Sequence, residues 1–236
     1  MTTDAGRPTV FAVVAGRVLA VAFRILQRFR RPRPIHPHGV ALSGTVRYLT
    51  SPARSGIAFL DHPAAAELPV SARVSRSLGV PAPLPDVIGL AIRWDGPSGP
   101  ADLALASTGF GVPSRFWLAA HRSPSRARFT TLIPYRSDRG PVLLAARTIG
   151  PRDLPSEPRA LATALTGTTW RLRLYHASPT GHWHPFAIVE LRHSSTTVDT
   201  PDRFDPVRHQ LPGSETYNWA RRLREPSYAR VQGKTS

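Results

Sequence analysis

From Val40 onward, apolar residues recur at every second position. In Val40-Ala41-Leu42-Ser43-Gly44-Thr45-Val46-Arg47-Tyr48, residues Val40, Leu42, Val46 and Tyr48 fall on one side, the pattern of a half-buried strand. Pro69 to Ser77, Val87 to Trp94 and Asp102 to Ser107 continue as strands. So do Arg128 to Pro134, Val142 to Thr148, Thr169 to His176 and Phe186 to His193. Turn-forming stretches separate them, among them Pro81-Ala82-Pro83-Leu84-Pro85-Asp86 and the Gly96–Pro100 turn. Helical patterning is confined to four places: an N-terminal stretch from Thr9 to Phe29, Ala53–His62, Glu157–Leu165, and Ser214 to Arg224, whose end Pro226 disturbs. The fold class expected is α+β: a closed antiparallel β-barrel of about eight strands, with an N-terminal helix over 9–30 and a C-terminal helix. No repeat or linker divides the chain, so residues 1–236 read as one domain, frayed at 1–8 and 231–236.

Composition narrows the chemistry. The 236 residues contain no cysteine, which excludes disulfides, thiolate metal sites and a cysteine nucleophile. The net charge of +16 suggests an anionic partner, yet all but one of the 31 basic residues are arginine (Lys234 is the exception). They are scattered, without a nucleic-acid motif, so no nucleic-acid partner is expected. Arg17, Arg24 and Arg28 interrupt the apolar N-terminal stretch and argue against a membrane span. A basic amphipathic helix of this kind either lies on a membrane surface or packs against the domain, and the second is expected here. The acidic start and the lack of a small-residue cleavage site point to the cytoplasm.

Candidate chemistry gathers at the two ends. Arg224-Glu225-Pro226-Ser227-Tyr228 places a tyrosine four residues after an arginine, adjacent to it on a helix. A neighbouring guanidinium favours the phenolate, and a phenolate is an iron ligand. Arg33-Pro34-Ile35-His36 offers an arginine and an imidazole, the groups needed on the opposite face of one haem. Between them, Arg73 and Ser75 share one side of a strand, and Gly89 within the next strand marks a bulge or a close backbone approach to something flat.

In their order along the chain these blocks resemble the haem catalases, in a reduced form. Arg33-x-x-His36-x-x-Gly39 is similar to the segment carrying a propionate-binding arginine and the distal histidine. Arg73-Val74-Ser75 resembles the strand whose arginine binds propionate and whose serine orients that histidine. Asp86-Val87-Ile88-Gly89-Leu90-Ala91-Ile92-Arg93 and Asp102-Leu103 follow in family order. Pro212-Gly213 and Arg224-x-x-Ser227-Tyr228 resemble the proximal helix, whose tyrosinate binds iron. The resemblance implies haem b held by Arg33, Arg73, Arg224 and Tyr228, with Tyr228 as the metal ligand. It also implies catalysis by His36 and Ser75, with Ile35 and Phe116 lining the distal wall. Two departures stand out. The family's distal asparagine falls on Ser107, after Ala106, so that Ser107 or Thr108 would supply the hydrogen bond; and Pro226 stands inside the proximal motif.

The implied activity is that of a catalase-related peroxidase acting on hydrogen peroxide or organic hydroperoxides, with or without a small organic co-substrate. The chain is much shorter than an ordinary catalase and is expected to be a monomer or dimer with weak catalase activity. Two other readings remain open. His36-x-His38 and His182-x-His184 have a strand spacing that suits a divalent metal, as in a phosphodiesterase-like hydrolase. A haem-binding protein without turnover is the other.

Overall fold

The alternating segments hydrogen-bond into a ring. In a computed structural model that describes residues 39–50, 52–96, 99–193, 197–200 and 202–218, the strands are β1 (Gly39–Tyr48), β2 (Glu67–Arg76), β3 (Asp86–Gly96), β4 (Gly99–Ser107), β5 (Ala120–His121), β6 (Arg128–Thr130), β7 (Tyr135–Ser137), β8 (Gly140–Gly150), β9 (Trp170–Ala177), β10 (His184–Arg192) and β11 (Glu215–Thr216). The ring runs β1–β2–β3–β4–β6–β8–β9–β10 and back to β1, with every neighbouring pair antiparallel. This is the closed barrel of eight strands that the alternation predicts. Closure leaves none of the eight with a bare edge along its whole length.

The residues assigned to the inner face do meet. Val40, Leu42 and Val46 of β1 share one buried cluster with Val70, Ala72 and Val74 of β2 and Ile88, Leu90, Ile92 and Trp94 of β3. Leu103, Leu105, Phe129, Leu144, Trp170, Leu172 and Val189 complete it from the other strands. Phe129 and Trp170 meet edge to face at 6.3 Å. The barrel is therefore a packed core, and any ligand site must lie on its outside or at its ends. At the β1–β10 seam, Gly44 faces Leu191, and a Cβ on Gly44 would stand 1.8 Å from the Glu190 carbonyl oxygen. Only glycine lets the two backbones come this close.

Two helices are present among the described residues, α1 (Ala58–Asp61) and α2 (Pro158–Gly167). The Glu157 carboxylate caps α2 by accepting from the Arg159 and Ala160 N–H groups, and Pro158 takes the first helical position. Leu161, Ala162 and Leu165 carry the helix onto the core. The helix expected over Ala53–His62 shrinks to one turn. Asp61 draws in the Ser55 and Gly56 N–H groups (both 2.8 Å), and Gly56 adopts φ +81. The strand expected over Arg128 to Pro134 ends at Thr130, because Leu132 turns to φ 59 before β7 begins. Ser214 to Thr216 is not helical: Glu215 and Thr216 form β11 against β7. The remainder of that expected C-terminal helix, and the N-terminal helix over 9–30, lie outside the described residues apart from Tyr217 and Asn218.

Candidate functional site on the outer face of β1 to β4

Cross-strand register gathers the small residues of β1 to β4 on the side of the sheet opposite the core. One row is Gly39–Ser75–Gly89–Ala106, the next Ala41–Arg73–Ala91–Ala104, and the third Ser43–Ser71–Arg93–Asp102. With strands ~4.8 Å apart, four of them span about 14 Å. Apart from Arg73, the first two rows hold only glycine, alanine and serine. Such a face is shallow and offers a broad contact to a flat molecule. Gly89 sits in register, so of the two meanings expected for it the bulge is absent.

Arg73 stands in the middle row, and its guanidinium extends over Gly39. An ideal Cβ there would lie 2.6 Å from Arg73 Cζ. Asp199 holds the guanidinium by its fork. Nε donates to Oδ1 at 2.7 Å and Nη2 to Oδ2 at 2.8 Å. The Gly39 N–H also donates to Oδ2 (2.8 Å) and the Thr200 N–H to Oδ1 (2.9 Å). Partial burial raises the Asp199 pKa, but these donors outweigh it, and the carboxyl titrates below its usual range. Ser75 is buried, two residues along β2 on the same face and paired with Gly39.

Ser107 is placed differently. Strand alternation turns it to the opposite side from Ala106, where its hydroxyl donates to the Ala119 carbonyl (2.6 Å) and accepts from the Ile88 N–H (2.9 Å). The structure therefore brings Arg73 and Ser75 together but does not bring Ser107 to them. Thr108 is likewise buried, bonded to the Gly109 carbonyl and to Thr130 Oγ1. Phe116 belongs to a 3-10 turn, Ser114–Phe116, in the loop after β4. Arg33, Ile35, His36, Arg224 and Tyr228 lie outside the described residues, as does the His36-x-His38 pair.

Sequence reasoning missed the two carboxylate clusters that border this face. Asp199 lies in a polar stretch with no local signal. In the second cluster, fully buried Asp102 accepts both ends of the Arg93 fork (2.7 Å each), the His209 ring (2.9 Å) and the Asp205 N–H (2.6 Å). Burial raises the Asp102 pKa, and Arg93 and His209 more than reverse it, so the group ionises unusually readily. This cluster fastens the 203–209 segment against β3 and β4.

The rival histidine pair separates. His182 lines a cleft of about 500 Å³ with Phe110, Arg115, Arg128, Arg147 and Trp183, whereas the His184 ring stacks on His176 at 5.5 Å. Among the described residues no group of three or more histidine, aspartate or glutamate side chains could hold a metal ion.

No family model and no curated protein matches the sequence. Solved structures do match the fold. A fungal catalase superposes with a TM-score of 0.60 at 14% identity over 100% of this chain and 66% of that one. Catalase A from Saccharomyces cerevisiae gives 0.60 at 12% identity over 98% and 66%, and a bacterial catalase 0.55 at 14% over 99% and 62%. The chain thus has a catalase-like barrel, and it spans about two thirds of the length of those catalases.

Proposed function

We propose that this chain is a haem-dependent hydroperoxidase related to catalase, reducing or rearranging hydrogen peroxide or organic hydroperoxides, with weak or no true catalase activity. The observation that carries this reading is the pair of small-residue rows across β1 to β4, with Arg73 and Ser75 projecting from them. The residues fit the group. The side chains of these rows are small enough for a flat macrocycle to lie against them, and the described blocks Arg73-Val74-Ser75, Asp86–Arg93 and Asp102-Leu103 belong to β2, β3 and β4, the strands that build this face.

Haem b, when bound, supplies a ferric iron at which a peroxide O–O bond can be broken. Tyr228 is the proposed oxygen ligand, with the Arg224 cation favouring its phenolate. Arg33 and Arg73 are the proposed partners for the propionates. His36 would accept the O–H proton of a hydroperoxide on an imidazole nitrogen and return it to the oxygen that leaves. The Ser75 hydroxyl would bond the other ring nitrogen and fix its orientation. The proposal extends to a cytoplasmic monomer or dimer; among the described residues no helix is long and apolar enough to cross a membrane.

One observation favours haem binding without turnover as a second reading. The row facing the ligand ends in Ala106, while the Ser107 hydroxyl is committed elsewhere, so no amide or hydroxyl from this strand is positioned to hold peroxide. Reconstitution with hemin separates the readings. Uptake of one hemin per chain, with peroxide consumption that H36A abolishes, supports the enzyme. Uptake with no consumption supports the carrier, and no uptake overturns both.

A further inference from the structure

We propose that the Arg73 fork is a carboxylate-binding site whose resident occupant is Asp199, an internal latch at the edge of the β1–β4 face that a ligand carboxylate would have to displace. The geometry is that of a complete ligand complex. Each Asp199 oxygen accepts one guanidinium N–H and one backbone N–H, so the carboxylate uses about four lone-pair sites, its full capacity. The paired atoms come from residues 126 and 160 positions away, which no local turn preference explains. Gly39 has no side chain and so leaves room for the guanidinium, and Asp199 bonds the Gly39 N–H directly.

The Thr197–Thr200 segment that carries Asp199 is attached to the barrel by a single further backbone bond among those described, from the Ala41 N–H to the Val198 carbonyl (2.8 Å). Val198 also packs against the core, so the strap is anchored beside Asp199 while the partly exposed Asp199 carboxylate can exchange for another of the same chemistry. The pair is neutral as a whole, so while the latch is closed Arg73 contributes no net charge toward an anionic ligand at this edge. Asp199 then acts as a specificity-determining residue: it limits how strongly Arg73 can reward a propionate or a substrate carboxylate.

The inference rests on the haem reading for its ligand alone, and two probes keep them distinct. In D199A, hemin affinity should rise roughly tenfold over wild type, while affinity for hemin dimethyl ester, which has no free propionate, should not change. Independently of haem, D199A should melt at a lower temperature, and acetate or formate should restore the melting point saturably where chloride does not. D199N, which keeps the side-chain shape, serves as the second variant and should show the same hemin preference. Acetate rescue without hemin uptake by any form would overturn the haem reading and leave the latch standing. Hemin uptake with no propionate-dependent gain and no rescue would overturn the latch and leave the haem reading standing.

Discussion

The Arg73 guanidinium occupies the space where a Gly39 side chain would be: an ideal Cβ on Gly39 falls 2.6 Å from Arg73 Cζ and 2.8 Å from Nε and Nη2. This gives the glycine of the Arg33-x-x-His36-x-x-Gly39 block a physical reason. An arginine end can ordinarily swing aside, but here Asp199 holds both prongs. Gly39→Ala must therefore loosen a partly buried ion pair, at a cost of about 1.5–3 kcal/mol. Thermal unfolding should report a loss of roughly 3–12 °C for a chain of this size. A variant as stable as wild type would show that the guanidinium is not confined.

Gly44→Ala should be far more damaging. The obstructing atom is the Glu190 carbonyl oxygen, 1.8 Å from the new Cβ, and it belongs to the strand that closes the barrel against β1. The seam must open, so circular dichroism should show lost strand signal or a protein that does not accumulate. Native-like folding would contradict the register of β1 on β10.

Acid should destabilise the protein in two stages. Burial, the leading cause, lowers the His176 pKa from its ordinary 6.5, so the unfolded chain binds the proton first. Stability should therefore begin to fall as the pH drops below about 6.5 and continue falling to the lowered folded-state value. Asp61, Asp102 and Asp199 have folded pKa values below the ordinary 3.8. Their contribution is complete above that value and is lost as pH falls through the lower folded values. Urea unfolding between pH 8 and pH 2 checks this, and H176F should shrink the first stage, with His121, whose pKa burial also lowers, carrying the rest.

Ser75 and Ser107 should behave oppositely when changed to alanine. Removing the Ser107 hydroxyl deprives the Ile88 N–H and the Ala119 carbonyl of a buried partner, at a cost of about 1–3 kcal/mol. Hemin affinity should not change. Ser75→Ala should leave the barrel intact and slow the reaction of hemin-loaded protein with peroxide. Urea melts and stopped-flow traces on both variants separate the two roles.

The barrel was legible because its strands keep a strict two-residue period over long runs, and the core from Val40 to Trp94 needed nothing else. Sequence pattern and structure part where one side chain redirects the backbone. Asp61 gathers the N–H groups that a longer helix would have used, and Leu132 breaks β6 with a positive φ that a leucine does not advertise. At the candidate site, Arg73 and Ser75 were readable from parity. Family position assigns Ser107 to the ligand side, but its own parity sends it to the other side, behind Ala106. Asp199 and His209 were invisible for a different reason. They reach Arg73 and Asp102 across 126 and 107 residues, and only the closed ring brings those segments together.

The central claim is tested most directly by the absorption spectrum of the full chain reconstituted with hemin, beside that of Y228F. The account predicts stoichiometric uptake and a ferric spectrum with phenolate-to-iron charge-transfer absorption that Y228F loses. A colourless protein, or a hemin spectrum indifferent to Tyr228, would contradict it.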